Sequence, residues 1–192
     1  MSRFFWVRHG PTHYKGMVGW SDLPAHLDDT DQLARLADYL PRDALVVSSD
    51  LSRAVATADA IQSGRDRLDH DPDLREMHFG EWELKTSAQI SATHPDLSRA
   101  FWTDPGEVRP PGGESWTDVT RRTGRAVDRL LTAHPGRDIV VVAHIGVILA
   151  RVGAATDQPG RQVIGQTIDN LSVTRIDRLP NGWRLHEVNH LP

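Results

Sequence analysis

The stretch FFWVRHGPTH, residues 4 to 13, decides how the chain is read. An apolar run breaks off at Arg8, His9 and Gly10, leaving a cation and an imidazole beside a residue with no side chain. Besides RFFWV (3 to 7), two further segments, ALVVSS (44 to 49) and DIVVVAH (138 to 144), are apolar continuously rather than alternately. Continuous apolarity suits strands covered on both faces, as in a parallel sheet between helices.

The intervening segments carry helical spacing. In DDTDQLARLADYLP, Leu33, Leu36, Ala37 and Leu40 repeat on one face and Pro41 stops the helix. In ESWTDVTRRTGRAVDRLLTAHPG, Trp116, Val119, Ala126, Val127, Leu130 and Leu131 share a face, Ser115 with Asp118 forms a capping box, and Gly136 follows the end. The segment from 171 to 190 has two strand-like runs around Pro180, Asn181 and Gly182, which predicts a β-hairpin at a sheet edge. Together these predict a three-layer α/β/α sandwich: a mostly parallel central sheet with an antiparallel edge, in one domain over residues 1 to 192.

Bulk composition sets limits. The 192 residues, 39% hydrophobic and 25% charged, suffice for one sizeable core. A net charge of -4 provides no basic stripe for nucleic acid, so any anion site must be local. With no cysteine, disulfides, thiolate catalysis and Cys-ligated zinc are excluded. The first apolar run is too short for a secretory signal, and no segment approaches the roughly 18 apolar residues of a membrane span. The expectation is a cytoplasmic protein with neither membrane nor nucleic-acid partner, monomer or homodimer.

An open α/β sheet binds ligands outside the carboxyl ends of its strands. Arg8 and His9 follow the first strand, Arg53 comes just after the second, and His144 ends the third. Two guanidiniums and two imidazoles on one rim make a pocket for a tetrahedral dianion, and the forked, permanently charged arginine side chain favours a phosphoryl group. A histidine with one unprotonated ring nitrogen can capture phosphorus covalently. His9, beside Gly10, is the better nucleophile, while His144 opens a helix and can donate to phosphoryl oxygens. The departing alkoxide needs a proton, and DPDLREMHFGEWE (71 to 83) offers Glu76, Glu81 and Glu83, among which spacing does not choose.

Each of these residues has an ordinary alternative: Arg8 and His9 a surface turn, Arg53 an ion pair with Asp50 or Asp59, His144 a satisfied core histidine, Glu76 a solvated carboxylate. Trp82, Trp102 and Trp116 read as core or pocket wall, because no basic run accompanies them. His9 with His13, and His186 with His190, invite a metal, but Arg8 beside His9 would repel a cation, so neither metal nor cofactor is expected.

The segments VRHGPT, SSDLSRAVATA, LREMHFGEWE, PPGGESW and VVVAHIGV, in this order, resemble the histidine phosphatase superfamily, also called the phosphoglycerate mutase-like family. The likeness runs from Arg8 to about residue 173. It implies that His9 is phosphorylated during turnover, that Arg8, Arg53 and His144 bind the phosphoryl group, and that Glu76 is the proton donor. The sequence departs from the pattern in having Lys15 where relatives often carry asparagine, Ala143 and Ile145 flanking the second histidine, and Pro11 after the triplet.

Within the family, a mutase retains and reorients its intermediate, and the mutases look longer, with a basic insertion after the glutamate motif. Here the corresponding stretch is short and its only cations are Lys85 and Arg99. A metal-independent phosphatase acting on a small phosphate ester is therefore expected ahead of a phosphoglycerate mutase or a non-catalytic phosphate-binding module. The segments GWSDLPA and PPGGES are similar to the alpha-ribazole phosphatase branch. Lys15, Arg109 and the segment from 84 to 110 are expected to line the pocket mouth and to choose the leaving group.

Overall fold

A computed structural model describes residues 1 to 192. Its strands are β1 (Ser2–Arg8), β2 (Leu45–Ser48), β3 (Ile139–Ala143), β4 (Val173–Leu179) and β5 (Gly182–His190). The helices are α1 (Thr30–Tyr39), α2 (Ser52–Ile61), α3 (Ser87–Thr93), α4 (Pro95–Thr103), α5 (Trp116–Ala133), α6 (Ile145–Thr156) and the short α7 (Gly160–Val163). One sheet runs in the order β2-β3-β1-β4-β5. The β2, β3 and β1 strands are parallel, and the terminal hairpin adds two antiparallel strands beside β1.

Side chains of the central strands alternate between two apolar layers, as the strand period of two requires. Phe5 and Val7 of β1 with Val140 and Val142 of β3 face Leu33, Leu36, Ala54, Ala58 and Ile61 of α1 and α2. Phe4, Trp6, Ile139, Val141 and Ala143 face the other way, onto α5 and α6 through Val119, Ala126, Val127, Val147 and Ile148. Both faces are covered, which explains the unbroken apolar runs.

The expected capping box forms at α5, where Ser115 Oγ accepts from the Asp118 amide at 3.1 Å and Asp118 accepts from the Ser115 amide at 3.0 Å. The segment from 84 to 110 holds α3 and α4. A second capping box, Thr86 with Gln89, starts α3, and Pro95 occupies the first turn of α4. No helix is long and apolar enough to cross a membrane.

Register places the chemistry. Arg8 pairs with Ala143 in the parallel β1 and β3 ladder, so His9 and His144 leave the sheet at the same height. The His9 amide donates to Ala143 O at 3.1 Å, and one strand further over the Ser49 amide donates to Val142 O at 3.0 Å, just before α2 begins.

Candidate active site

The turn after β1 holds the His9 ring by both its backbone and its side chain. Asn170 Nδ2 donates to His9 O at 2.7 Å, and the Gly10 amide donates to Thr57 Oγ1 at 2.9 Å. A β-carbon on Gly10 would meet Leu27 Cδ2 and lie 3.3 Å from His26 O, so a side chain there requires Leu27 to shift. His9 Nδ1 lies 2.6 Å from Gly10 O. A carbonyl only accepts, so Nδ1 carries the hydrogen and Nε2 presents a lone pair. Burial, then the nearby Arg53 charge, holds the His9 pKa down to about 3, with Arg8 adding to this against the Gly10 carbonyl. The ring is a neutral base whose unprotonated nitrogen is Nε2.

Arg53, the second residue of α2, is 1% exposed and donates through Nε to His9 Nε2 at 3.3 Å. Its outer nitrogens are held by Gly19 O at 2.7 Å and Ser21 O at 3.0 Å. Arg8 Nη1 donates to Ile168 O at 2.5 Å, leaving Arg8 Nε buried with no partner. His144, the N-cap of α6, is fully buried, both its ring nitrogens lack partners, and its ring centre lies 5.0 Å from that of His9. Buried donors are normally paired, so the unpartnered nitrogens of Arg8 and His144 beside His9 call for a guest with several acceptor oxygens.

Glu76 closes the other side. Its Oε1 accepts from the Met77 amide at 2.9 Å and its Oε2 from the Gly146 amide of α6 at 3.2 Å. Burial raises its pKa, against the opposing pull of those two amides and of Arg53 and Arg8. A carboxylic acid that keeps its proton above the usual range is suited to deliver one. Arg8, His9 and Glu76 line one cavity of about 240 Å³ with Tyr14, Met17, Phe79, Trp102 and Ile145 among its walls. A larger depression of about 590 Å³ beside α5 and α6 has only exposed charges, Arg121 and Asp157, and no histidine or buried acid.

The two cations expected at the mouth are not among the residues that line the cavity. Arg109 is paired with Asp118, whose carboxylate also caps α5, and with Glu107 at 3.8 Å, and it does not line the cavity. Lys15 is solvent-exposed between the wall residues Tyr14 and Gly16, without lining the cavity itself. The segment from 84 to 110 does reach the cavity, through Trp102. Glu81 is exposed, whereas Glu83 is half-buried and binds backbone. Glu83 accepts from the amides of Gly19, Trp20, Ser21 and Phe79 at 2.8 to 3.2 Å and from Ser21 Oγ at 2.7 Å. Burial pushes the Glu83 pKa up, but these hydrogen bonds outweigh it and the carboxyl lies below its ordinary value. Glu83 thus shapes the loop whose carbonyls grip Arg53.

A second support was not foreseen from sequence. Arg122 of α5 donates to the carbonyls of Asp73 at 2.8 Å, Arg75 at 2.6 Å and Glu76 at 2.8 Å. It also makes a forked pair with Glu114 at 2.8 Å for both bonds, and Glu114 in turn accepts from the His78 amide at 2.9 Å. Trp20 Nε1 adds a bond to Glu76 O at 2.8 Å. The backbone on both sides of Glu76 is therefore clamped. The available signal was a charge standing inside the inner stripe of α5, between Val119 and Ala126, where periodicity calls for an apolar residue.

Comparison with known proteins gives the family. Residues 4–191 match the family model described as the histidine phosphatase superfamily, branch 1. The chain is 35% identical over 185 residues to a glucosyl-3-phosphoglycerate phosphatase of Mycolicibacterium vanbaalenii, covering 89% of this chain and 78% of that one. It is 29% identical over 164 residues to the adenosylcobalamin/alpha-ribazole phosphatase of Salmonella typhimurium, covering 82% and 81%. The solved structure of Bacillus stearothermophilus YhfR superposes with a TM-score of 0.91 at 27% identity, covering 100% of this chain and 98% of that one. Against a bifunctional protein of Mycobacterium tuberculosis, matched at 35% identity, the chain spans only 44% of the relative's length. The family match over nearly every residue and the shared fold place this chain in the histidine phosphatase superfamily, branch 1.

Proposed function

We propose that the protein is a metal-independent phosphomonoesterase that hydrolyses a small phosphate ester through a phosphohistidine on His9. The observation that carries this reading is the lone pair of His9 Nε2, freed by the Nδ1 bond to Gly10 O and set among the donors of Arg8, Arg53 and His144. Those donors take the phosphoryl oxygens and withdraw charge from phosphorus. Nε2 attacks, the Nε2–P bond forms as the ester P–O bond breaks, and the Glu76 proton passes to the departing oxygen. Glu76, now a carboxylate, then takes a proton from water as that water attacks phosphorus. The Nε2–P bond breaks, phosphate leaves, and Glu76 is protonated again. Arg122, Glu114 and Glu83 hold the backbone from which these groups work, and the whole cycle is assigned to one domain in the cytoplasm.

The test is release of inorganic phosphate from p-nitrophenyl phosphate in the presence of a chelator. Activity that persists with chelator and vanishes in His9→Ala supports the reading, whereas equal activity in that variant discards it. Incubation with 3-phosphoglycerate separates hydrolysis from mutase chemistry, for which conversion to the 2-isomer would outpace phosphate release.

A further inference from the structure

Resting on the phosphatase reading above, we infer that the alcohol portion of the substrate is uncharged and presents an apolar face, and that Trp102 selects it. A second cavity, of about 120 Å³, adjoins the first, and both are lined by Glu76, Phe79, Trp102 and Ile145. Because Glu76 must reach the leaving oxygen, the body of the alcohol departs from Glu76 along this shared wall.

The walls carry very little charge. Across both cavities the ionisable side chains other than Tyr14 are Arg8, His9 and Glu76, all engaged by the phosphoryl group or the leaving oxygen. A carboxylate or second phosphate on the alcohol would lose water there and find no cation in either wall beyond Arg8, since Arg109 is paired with Asp118 and neither Arg109 nor Lys15 lines a cavity. An apolar ring instead finds a partner surface. Trp102 is 43% exposed at the shared mouth, and it is braced edge-on by Phe101 at 5.0 Å, itself packed on Trp82 at 5.4 Å. An exposed indole fixed in position offers a flat face at low entropic cost.

The experiment compares kcat/KM for phenyl phosphate and 4-carboxyphenyl phosphate in the wild-type protein, Trp102→Ala and Trp102→Phe. The wild type should favour the uncharged ester by about tenfold or more, the scale on which an apolar pocket discriminates. Trp102→Ala should lower kcat/KM for phenyl phosphate by about tenfold, mostly through KM, and leave the carboxylated ester within about twofold, while Trp102→Phe retains most of the preference. Equal or better turnover of the carboxylated ester by the wild type, or an equal loss on both esters in Trp102→Ala, overturns the inference alone. Hydrolysis of neither ester by folded wild type removes the phosphatase reading and the inference with it.

Discussion

The Glu76 carboxylate fills the space that a side chain on Gly146 would need: a β-carbon there would overlap Glu76 Oε1, while the Gly146 amide donates to Oε2 at 3.2 Å. This glycine, the second residue of α6, is thus part of the seat for the acid. Gly146→Ala should displace Glu76 and lower kcat/KM by about a hundredfold, the low end of what a positioned acid contributes. Displacing a buried carboxylate also costs packing and a hydrogen bond, about 1–3 kcal/mol, which outweighs the helix preference for alanine over glycine, so the melting temperature should fall as well. Steady-state kinetics and a melting curve on the same preparation check both halves, and full activity in this variant would show that the acid is seated some other way.

The raised pKa of Glu76 fixes the sign of the alkaline limb. The donor works only while protonated, so kcat/KM should fall as pH rises through that elevated pKa. Glu76→Gln should abolish this limb and lower the rate by about 10² to 10⁴ for alkyl esters. The loss should be smaller with p-nitrophenyl phosphate, whose leaving group departs without a proton. A pH profile of Glu76→Gln that keeps the wild-type alkaline limb would assign the titration to another group.

Much of this arrangement was legible in the chain, for reasons that particular residues make clear. Phe4 to Val7 and Ile139 to Ala143 are apolar without alternation because each has an apolar layer on both sides, so the period alone reported a covered parallel sheet. Once the sheet was known, Arg8, His9, Arg53 and His144 had to share its rim. The acid was another matter: Glu76, Glu81 and Glu83 lie in one irregular loop, where side-chain direction follows from the Arg122 clamp rather than from any repeat, and the family resemblance was what singled out Glu76. At the mouth, composition cannot say which cation is already paired. Asp118 claims Arg109, since the capping box of α5 places a carboxylate within its reach.

Keeping the His9 imidazole neutral costs stability in acid. Its pKa is about 3 in the folded protein against an ordinary 6.5, so the unfolded chain binds the extra proton between those values and stability falls as pH drops through that window. His9→Asn cannot take up this proton. The melting temperature of the variant should therefore gain on the wild type progressively from pH 6.5 toward about 3, and a pH-independent difference would contradict the buried neutral ring.

Glu83 touches no reacting group, yet it holds the amides of Gly19, Trp20 and Ser21, and the carbonyls of Gly19 and Ser21 hold Arg53. Glu83→Gln replaces one acceptor oxygen with a donor facing amide hydrogens, at a cost of about 1–3 kcal/mol in stability. KM for a phosphate ester and the inhibition constant for inorganic phosphate should rise together by about tenfold, with the shape of the pH profile preserved. A purely structural role would lower the melting temperature and leave both constants unmoved.

The central claim is that phosphorus is bonded to His9 in mid-turnover, and rapid quenching followed by peptide mass spectrometry tests it most directly. Wild-type protein mixed with p-nitrophenyl phosphate and denatured in alkali should carry one base-stable, acid-labile phosphoryl group on the peptide containing His9, and His9→Asn should carry none. A phosphoryl group found on another residue, or turnover at the wild-type rate with no phosphoprotein at any quench time, would contradict the account.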